Sequence, residues 1–286
     1  MNDYSSPKRL LAARGLRPRK RLGQNFLLDA NVAKRIAGAL PPDAFVLEIG
    51  GGTGVLTQAL AGRARRVEVI EIDRGLAAIL RERFADVRAV HVIGGDALEI
   101  DLGERLRAQA PPRAICGNLP YSITTPLLER IVACADEWDC AVLMVQREYA
   151  RRLAARPGTR DYGSLTVFVA YFCAVTPLFD VGAAGFYPPP AVASSVVKLV
   201  PRAQRASGLD DEALLLWLIR AAFAQRRKTL VNSVSALAPH ESRARIEASA
   251  RAADLPDAIR GERLTLRDFI TLTNALAAQG FRAPAR

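Results

Sequence analysis

The chain has little of what metal, redox or membrane chemistry requires. It holds two histidines, His91 and His240, and four cysteines, Cys116, Cys134, Cys140 and Cys173, none of them in a C-x-x-C pair. A zinc or iron–sulfur site draws several such ligands at fixed spacing, so no metal is expected. Sparse, unpaired cysteine also points to a reduced compartment rather than a disulfide scaffold. No apolar run approaches the ~20 residues of a membrane helix. The N-terminus carries Lys8, Arg9, Arg14 and Arg17 where a signal peptide would carry its apolar stretch. The expectation is a cytoplasmic, metal-free protein with no membrane partner. Nothing in the sequence demands an oligomer, and a monomer is expected.

What is present is an ordinary globular composition, 50% hydrophobic and 24% charged over 286 residues. That length has room for one large domain and a small second one. The net charge of +11 is unevenly placed. Residues 1–24 hold seven basic side chains against one acidic, and residues 201–286 hold fourteen against nine. The intervening residues balance at nineteen of each. A neutral middle with basic ends suits a small-molecule domain flanked by arms for a phosphate backbone. An arginine-rich surface of solvated charge fits as well, and charge alone leaves both open.

Short apolar runs alternate with helical segments through the middle of the chain. Residues 45–49, 66–72, 87–93, 113–116 and 141–145 read as strands. Helices fit between them, for instance 75–84 with Leu76, Ile79 and Leu80 on one face. Strand–helix alternation with buried apolar strands predicts a mostly parallel α/β sheet with helices on both faces. Residues 171–181 and 194–200 read as two more strands around the stiff Tyr187-Pro188-Pro189-Pro190 segment. The stretch 204–211 is polar around Ser207-Gly208 and reads as a linker. Beyond it, 212–237, 241–253 and 266–278 read as helices. The expected organisation is a basic tail over 1–24, disordered when free, an α/β domain over 25–203 and a small all-helical C-terminal domain over 204–286.

Glu48-Ile49-Gly50-Gly51-Gly52-Thr53-Gly54 follows the first run and opens a helix. Glycine lets the backbone turn tightly and approach a ligand where a Cβ would collide. A dinucleotide fingerprint wants its last glycine at position 55, where Val55 stands. The spacing E-x-G-x-G-x-G instead resembles the first motif of the class I methyltransferases. That resemblance implies a Rossmann-like sheet and S-adenosylmethionine as methyl donor, with Gly50 and Gly52 bringing the backbone to it. Glu71 comes 21 residues after Gly50 at the end of the second strand. A carboxylate there can accept hydrogen bonds from both ribose hydroxyls of an adenosyl group. Asp96, after the third strand, is placed to meet the adenine amino group. The competing reading is a tightly packed turn with Glu71 and Asp96 as helix caps. Three such features at successive strand ends favour a ligand site.

Gly117-Asn118-Leu119-Pro120-Tyr121 follows the fourth strand. Adenine's exocyclic amine is a poor nucleophile because its lone pair is delocalised into the ring. A site that accepts hydrogen bonds from both amine hydrogens localises that pair toward an incoming methyl group. The Asn118 side-chain oxygen and one main-chain carbonyl can do this. Pro120 restricts Leu119 to extended geometry, and Tyr121 offers a flat face for the base. No strong general base is needed, since the proton becomes acidic once the nitrogen is methylated. Positioning can supply up to ~7–11 kcal/mol of such a barrier.

Five segments occur in one order: Arg19-Lys20-Arg21-Leu22-Gly23-Gln24-Asn25-Phe26-Leu27-Leu28-Asp29, the glycine loop, residues 117–121, Phe186-Tyr187-Pro188-Pro189-Pro190, and Phe223-Ala224-Gln225-Arg226-Arg227-Lys228. Together, over residues 19 to 235, they resemble the small-subunit ribosomal RNA methyltransferase A family. The resemblance implies dimethylation of the N6 amine of two adjacent adenosines in the 3′-terminal hairpin of small-subunit (16S) rRNA during ribosome biogenesis. It implies cofactor contacts at Asn25, Leu27, Gly50, Glu71, Asp96 and Asn118. It also implies that Phe186 sandwiches the target base opposite Tyr121. Two departures stand out. Gly51 replaces a frequent proline, which is expected to matter little, and residues 181–186 lack two prolines, which predicts a more mobile loop before Phe186.

Arg226, Arg227 and Lys228, expected on a helix, are candidates for phosphate contact, for a solvated helix face or for a clamp onto the catalytic domain. Arg147, Arg151 and Arg152, with Arg156 and Arg160, form a second basic run that leans toward RNA. The partner expected is small-subunit rRNA or the pre-30S particle. Two rivals remain: a large-subunit rRNA adenine methyltransferase of the antibiotic-resistance type, and a non-catalytic RNA-binding assembly or transcription factor. Leu119 and the complete 19–29 block favour the small-subunit branch, and intact Glu71, Asp96 and Asn118 favour catalysis.

Overall fold

The computed structural model describes residues 6–203, 208–239 and 241–283. Ser207 of the expected linker and His240 lie outside the described residues. The chain opens with α1 (Pro7–Ala13), β1 (Phe26–Leu27) and α2 (Ala30–Gly38). There follow β2 (Phe45–Ile49), α3 (Val55–Ala61), β3 (Arg66–Glu71), α4 (Arg74–Arg83), β4 (Val90–Gly94), α5 (Leu102–Arg107), β5 (Arg113–Asn118), α6 (Thr124–Ala133) and β6 (Cys140–Gln146). After α7 (Arg147–Leu153) and α8 (Ser164–Phe172) come β7 (Cys173–Val181), β8 (Phe186–Tyr187) and β9 (Ser194–Pro201). Four helices end the chain: α9 (Glu212–Ala224), α10 (Leu230–Leu237), α11 (Arg243–Ala252) and α12 (Leu266–Ala278).

Two compact units result. The first comprises the chain up to Ala150 with Cys173–Pro201, and the second comprises Arg151–Phe172 with the residues from Arg202 onward. The first unit holds a seven-stranded sheet in the order β4-β3-β2-β5-β6-β9-β7. Strands β2 to β6 run parallel to one another; β9 is antiparallel to β6, and β7 is antiparallel to β9. Because β2 and β6 are buried along nearly their whole length, they carry no polar alternation, as expected of strands covered on both faces. Val46, Val67, Val69, Ala114, Cys116, Val142 and Met144 form one core with Ile36 of α2 and Leu56 and Leu60 of α3.

The winding reverses between β2 and β5, since β3 lies to one side of β2 and β5 to the other. In open α/β sheets the crevice outside the strand ends at this switch point is where ligands bind. Ile49 stands opposite Gly117 there. A Cβ on Gly117 would lie 2.5 Å from the Ile49 carbonyl oxygen, so the close approach of the two strand ends requires glycine.

Four expectations are corrected. From residue 6 the basic tail is folded: Ser6 accepts a hydrogen bond from the Arg9 N–H, Pro7 opens α1, and Leu10 and Leu11 are buried with Phe26, Leu76 and Ile79. Charge density masked that apolar face. Residues 171 and 172 end a helix rather than begin a strand, because α8 is apolar all round and buries Val167, Val169, Tyr171 and Phe172. The single helix expected over 212–237 is broken at Gln225–Lys228, and Thr229 recaps α10 by accepting from the Asn232 N–H. Arg226, Arg227 and Lys228 therefore sit in a turn. Residues 151–172 group with the helical unit rather than with the α/β domain, to which their place in the chain had assigned them.

Within the second unit, the Tyr162 hydroxyl donates to the Leu264 carbonyl at 2.6 Å, and the Gly158 N–H donates to the Glu262 carbonyl at 2.7 Å. Phe223 packs between Tyr162 and Phe269. These long-range contacts tie the 154–163 loop to the C-terminal helices.

Candidate active site

The C-terminal ends of β2, β3 and β5 and the loop after β4 open onto one cleft, roofed by residues 22–27. It opens to solvent at its mouth and is lined mostly by apolar surface with a few polar groups, as ligand clefts are. The glycine loop forms its floor. Gly50, Gly52 and Gly54 have φ of 77°, 55° and 85°, a region that strongly favours glycine. The Gly54 N–H closes the turn on the Gly51 carbonyl at 2.9 Å, and the Arg83 guanidinium holds the Thr53 carbonyl at 2.7 Å.

Glu71 at the end of β3 is 4% exposed, with both oxygens bound to backbone. Oε2 accepts from the Gly52 N–H and Oε1 from the Asp73 N–H, each at 2.9 Å. Burial pushes its pKa up, opposed by these hydrogen bonds. Each oxygen keeps a further lone pair for a hydroxyl donor. Asp96, after β4, accepts the Leu98 N–H on Oδ1 at 2.8 Å and lines the cleft wall.

Asn118 ends β5. Its Nδ2 donates to the Asn25 main-chain carbonyl at 2.9 Å, which fixes the orientation of the amide. Oδ1 then has no donor among the described residues and stands at the cleft. The Thr124 hydroxyl caps the following turn on the Pro120 carbonyl at 2.9 Å, and the Leu119 N–H bonds the Met144 carbonyl at 3.0 Å. The Tyr121 hydroxyl lies 2.6 Å from Ser194 Oγ, so the ring is anchored at its far edge. Burial raises the phenol's pKa, and it stays neutral.

The cleft thus gathers Asn25, Leu27, Gly50, Gly52, Glu71, Asp96, Asn118, Leu119, Pro120 and Tyr121. It does not gather Phe186. That ring is 2% exposed and belongs to the sheet's core cluster with Leu27, Val181 and Val196. The loop before it is also tied down: the Leu28 N–H bonds the Gly185 carbonyl at 2.8 Å, and Phe186 pairs with Leu27 across β1–β8. The expected sandwich partner of Tyr121 is therefore packed inward, and the loop is pinned rather than mobile. Gly51 also differs from expectation. A Cβ there would collide with Val69 Cγ1 and lie 2.8 Å from Leu80 Cδ1, so neighbouring side chains fill the room a proline ring would need.

Sequence reasoning passed over the groups that hold the roof. Asp73 is 4% exposed. Its Oδ1 caps α4 through the Gly75 and Leu76 N–H groups, and its Oδ2 receives Arg19 at 3.2 Å and Gln24 at 3.4 Å. An aspartate immediately before the apolar pattern of α4 was the available signal. Glu48, two residues before Gly50, is fully buried, with neither oxygen in hydrogen-bonding geometry.

Comparison with known proteins now decides the family. The model of the ribosomal RNA adenine dimethylase family matches residues 15–271. The chain belongs to that family. Its relatives include ribosomal RNA small subunit methyltransferase A of Alkaliphilus metalliredigens, 40% identical over 91% of this chain and 92% of the relative. The protein of the same name from Pseudomonas fluorescens is 42% identical over 92% and 95%. Among solved structures, a dimethyladenosine transferase from Plasmodium falciparum superposes with a TM-score of 0.78 at 28% identity, covering 90% of this chain and 99% of that one. The 23S rRNA methyltransferase ErmE gives 0.64 at 30% identity, covering 88% and 100%. Membership of the ribosomal RNA adenine dimethylase family accounts for the Rossmann-like sheet, the helical C-terminal region and the methyltransferase activity together.

Of the candidate RNA contacts, Arg147, Arg151 and Arg152 are exposed on α7, with Arg147 and Arg151 one turn apart. Arg227 and Lys228 are exposed in the turn before α10. Arg226 is engaged: it reaches Glu262 at 3.2 Å and the Arg160 carbonyl at 2.5 Å. Its geometry is that of a clamp within the second unit. Among the described residues there is no His/Cys/Asp/Glu group able to hold a metal, and no helix is long and apolar enough to cross a membrane.

Proposed function

We propose that this protein dimethylates the N6 amine of two adjacent adenosines in the 3′-terminal hairpin loop of small-subunit rRNA, acting on the pre-30S particle. The observation that carries the reading is the Asn118 amide. Its nitrogen is committed to the Asn25 carbonyl, so its oxygen is left as an acceptor at the cleft. The Leu119 carbonyl would be the second, since the Pro120 carbonyl already accepts from the Thr124 hydroxyl and the Ile123 N–H. That is the acceptor pair an exocyclic amine needs.

When bound, S-adenosylmethionine supplies an electrophilic methyl group. Glu71 would hold its ribose hydroxyls, Asp96 its adenine amine, and Gly50 and Gly52 would let the backbone lie against it. The fit has support in the donor set, since Glu71 is already fixed at both oxygens by the backbone around the cleft. Asn118 orients the amine and draws its lone pair out of conjugation. Tyr121, anchored through Ser194, provides a face for an extruded base. Arg147, Arg151, Arg152, Arg227 and Lys228 supply exposed positive charge for the phosphate backbone.

The test is methyl transfer from labelled S-adenosylmethionine to unmethylated small ribosomal subunits, with large-subunit rRNA in parallel. Dimethyladenosine confined to the small-subunit RNA and lost with Asn118→Ala is the expected result. Label in the large-subunit RNA would transfer the protein to the other branch of its family. Cofactor binding without any label would leave an assembly role.

A further inference from the structure

The first unit carries a second concavity beside the cofactor cleft. Leu16 and Arg17 after α1, Gln24, and Tyr187 with Pro188 bound it, and Lys8 stands at its rim. Gln24 lines both concavities. The neighbouring Gly23 abuts the catalytic loop: a Cβ on it would lie 3.3 Å from Ser122 Oγ and 3.5 Å from Pro120 Cβ. The two concavities are therefore separated by little more than the chain at residues 23–24.

Its chemistry is specific. Tyr187 is half-buried and packs against the Leu10, Leu11 and Phe26 cluster, which holds its side chain as one wall. Arg14 and Arg19 of the same N-terminal segment are paired with Glu82 and Asp73. Lys8 and Arg17 have no carboxylate partner among the described residues. An aromatic wall, apolar lining and two cations with no carboxylate partner among the described residues are what sites for single-stranded nucleic acid combine.

We propose that this concavity holds the nucleotide next to the target adenosine along the RNA strand, its base against Tyr187 and Pro188 and its phosphate between Lys8 and Arg17. The inference rests on the RNA reading above. Enzymes that extrude a base also contact the nucleotides flanking it, and this cationic, aromatic surface lies beside the catalytic loop. The folded N-terminal segment is then part of the substrate site, and its hold on residues 22–27 joins RNA engagement to the roof of the cofactor cleft.

The test is a double-mutant cycle on small subunits rebuilt with an abasic site on either side of the target pair. Tyr187→Ala is expected to lower kcat/KM for RNA roughly tenfold or more. One of the two abasic substrates should lose a similar factor with the unaltered enzyme, and the combination should lose no more than either change alone. Losses that multiply for both abasic positions would overturn the subsite while leaving the methylation reading intact. Failure of the unaltered enzyme to methylate small-subunit RNA would overturn that reading, and the subsite with it. Tyr187 also pairs in β8, so the Lys8→Gln/Arg17→Gln double variant gives an independent readout. It should make the salt dependence of RNA binding shallower by about 0.7 for each phosphate no longer neutralised, and an unchanged slope would remove the phosphate half of the proposal.

Discussion

Glu48 carries the most unusual charge state in the molecule. Burial raises its pKa from 4.5 to about 8, aided by the negative charge of Glu71. Between those values the folded protein keeps a proton that the unfolded chain releases, so stability falls as pH rises through that window. The cost near neutral pH is of order 3 kcal/mol. Glu48→Gln is therefore expected to raise the Tm of the free protein above about pH 5, with the gain growing toward pH 8. A gain of equal size across the range would show that the carboxyl is not buried neutral. At Gly51, where Val69 and Leu80 fill the space of a Cβ, substitution by alanine is expected to cost about 1–3 kcal/mol in urea unfolding. A neutral Gly51→Ala would mean that the two side chains yield freely. Glu71 and Asn118 were legible at this scale because each terminates a strand, and strand spacing in sequence fixes where those ends fall. Phe186 was not, because a motif position gives no information on which way a ring packs. Its burial depends on Leu27 and Val196, and Leu27 is distant in sequence.

Among elements, the N-terminal strap and α4 depend on one side chain. Asp73 caps α4, receives Arg19 and Gln24, and donates its own N–H to Glu71. Removing its carboxylate strips a cap, worth about 1 kcal/mol, and frees the half-exposed Arg19 and part-buried Gln24, worth up to about 1 kcal/mol more. Asp73→Ala is expected to lower stability by that combined amount and to weaken S-adenosylmethionine binding measured by calorimetry. Asp73→Asn, which keeps the cap, should recover most of the stability. A variant whose cofactor affinity stays at wild-type level would uncouple the strap from the cleft. The β–α alternation was readable because buried parallel strands are apolar throughout. The break between α9 and α10 was not. Phe223, Leu230 and Val231 continue an apolar spacing across it, and only the Thr229 cap and the Leu230 N–H bond to the Ile259 carbonyl at 2.8 Å show where the chain turns.

For the whole molecule, the basic surplus separates into two kinds of arginine. Arg226 is engaged by Glu262 and the Arg160 carbonyl, whereas Arg147, Arg151 and Arg152 face solvent. Replacing the α7 trio by glutamine is expected to reduce the slope of log K for RNA against log salt by up to about 2–3, at ~0.7–0.9 per phosphate, with little change in Tm. Arg226→Gln should do the reverse, lowering Tm and sparing the slope. Equal slopes for the trio variant and the unaltered protein would remove α7 from the RNA surface. The sequence by itself determined the fold class and the family and placed the glycine loop and acidic residues at strand ends, because strand periodicity and glycine spacing are local properties of the chain. Tertiary structure alone decided that the N-terminal segment roofs the cleft, that residues 151–172 join the helical unit, that Phe186 faces the core and that Arg226 reaches Glu262 and the Arg160 carbonyl. Each of these rests on contacts between residues distant in sequence, whose partners are chosen by packing and hydrogen-bond satisfaction rather than by neighbouring residues.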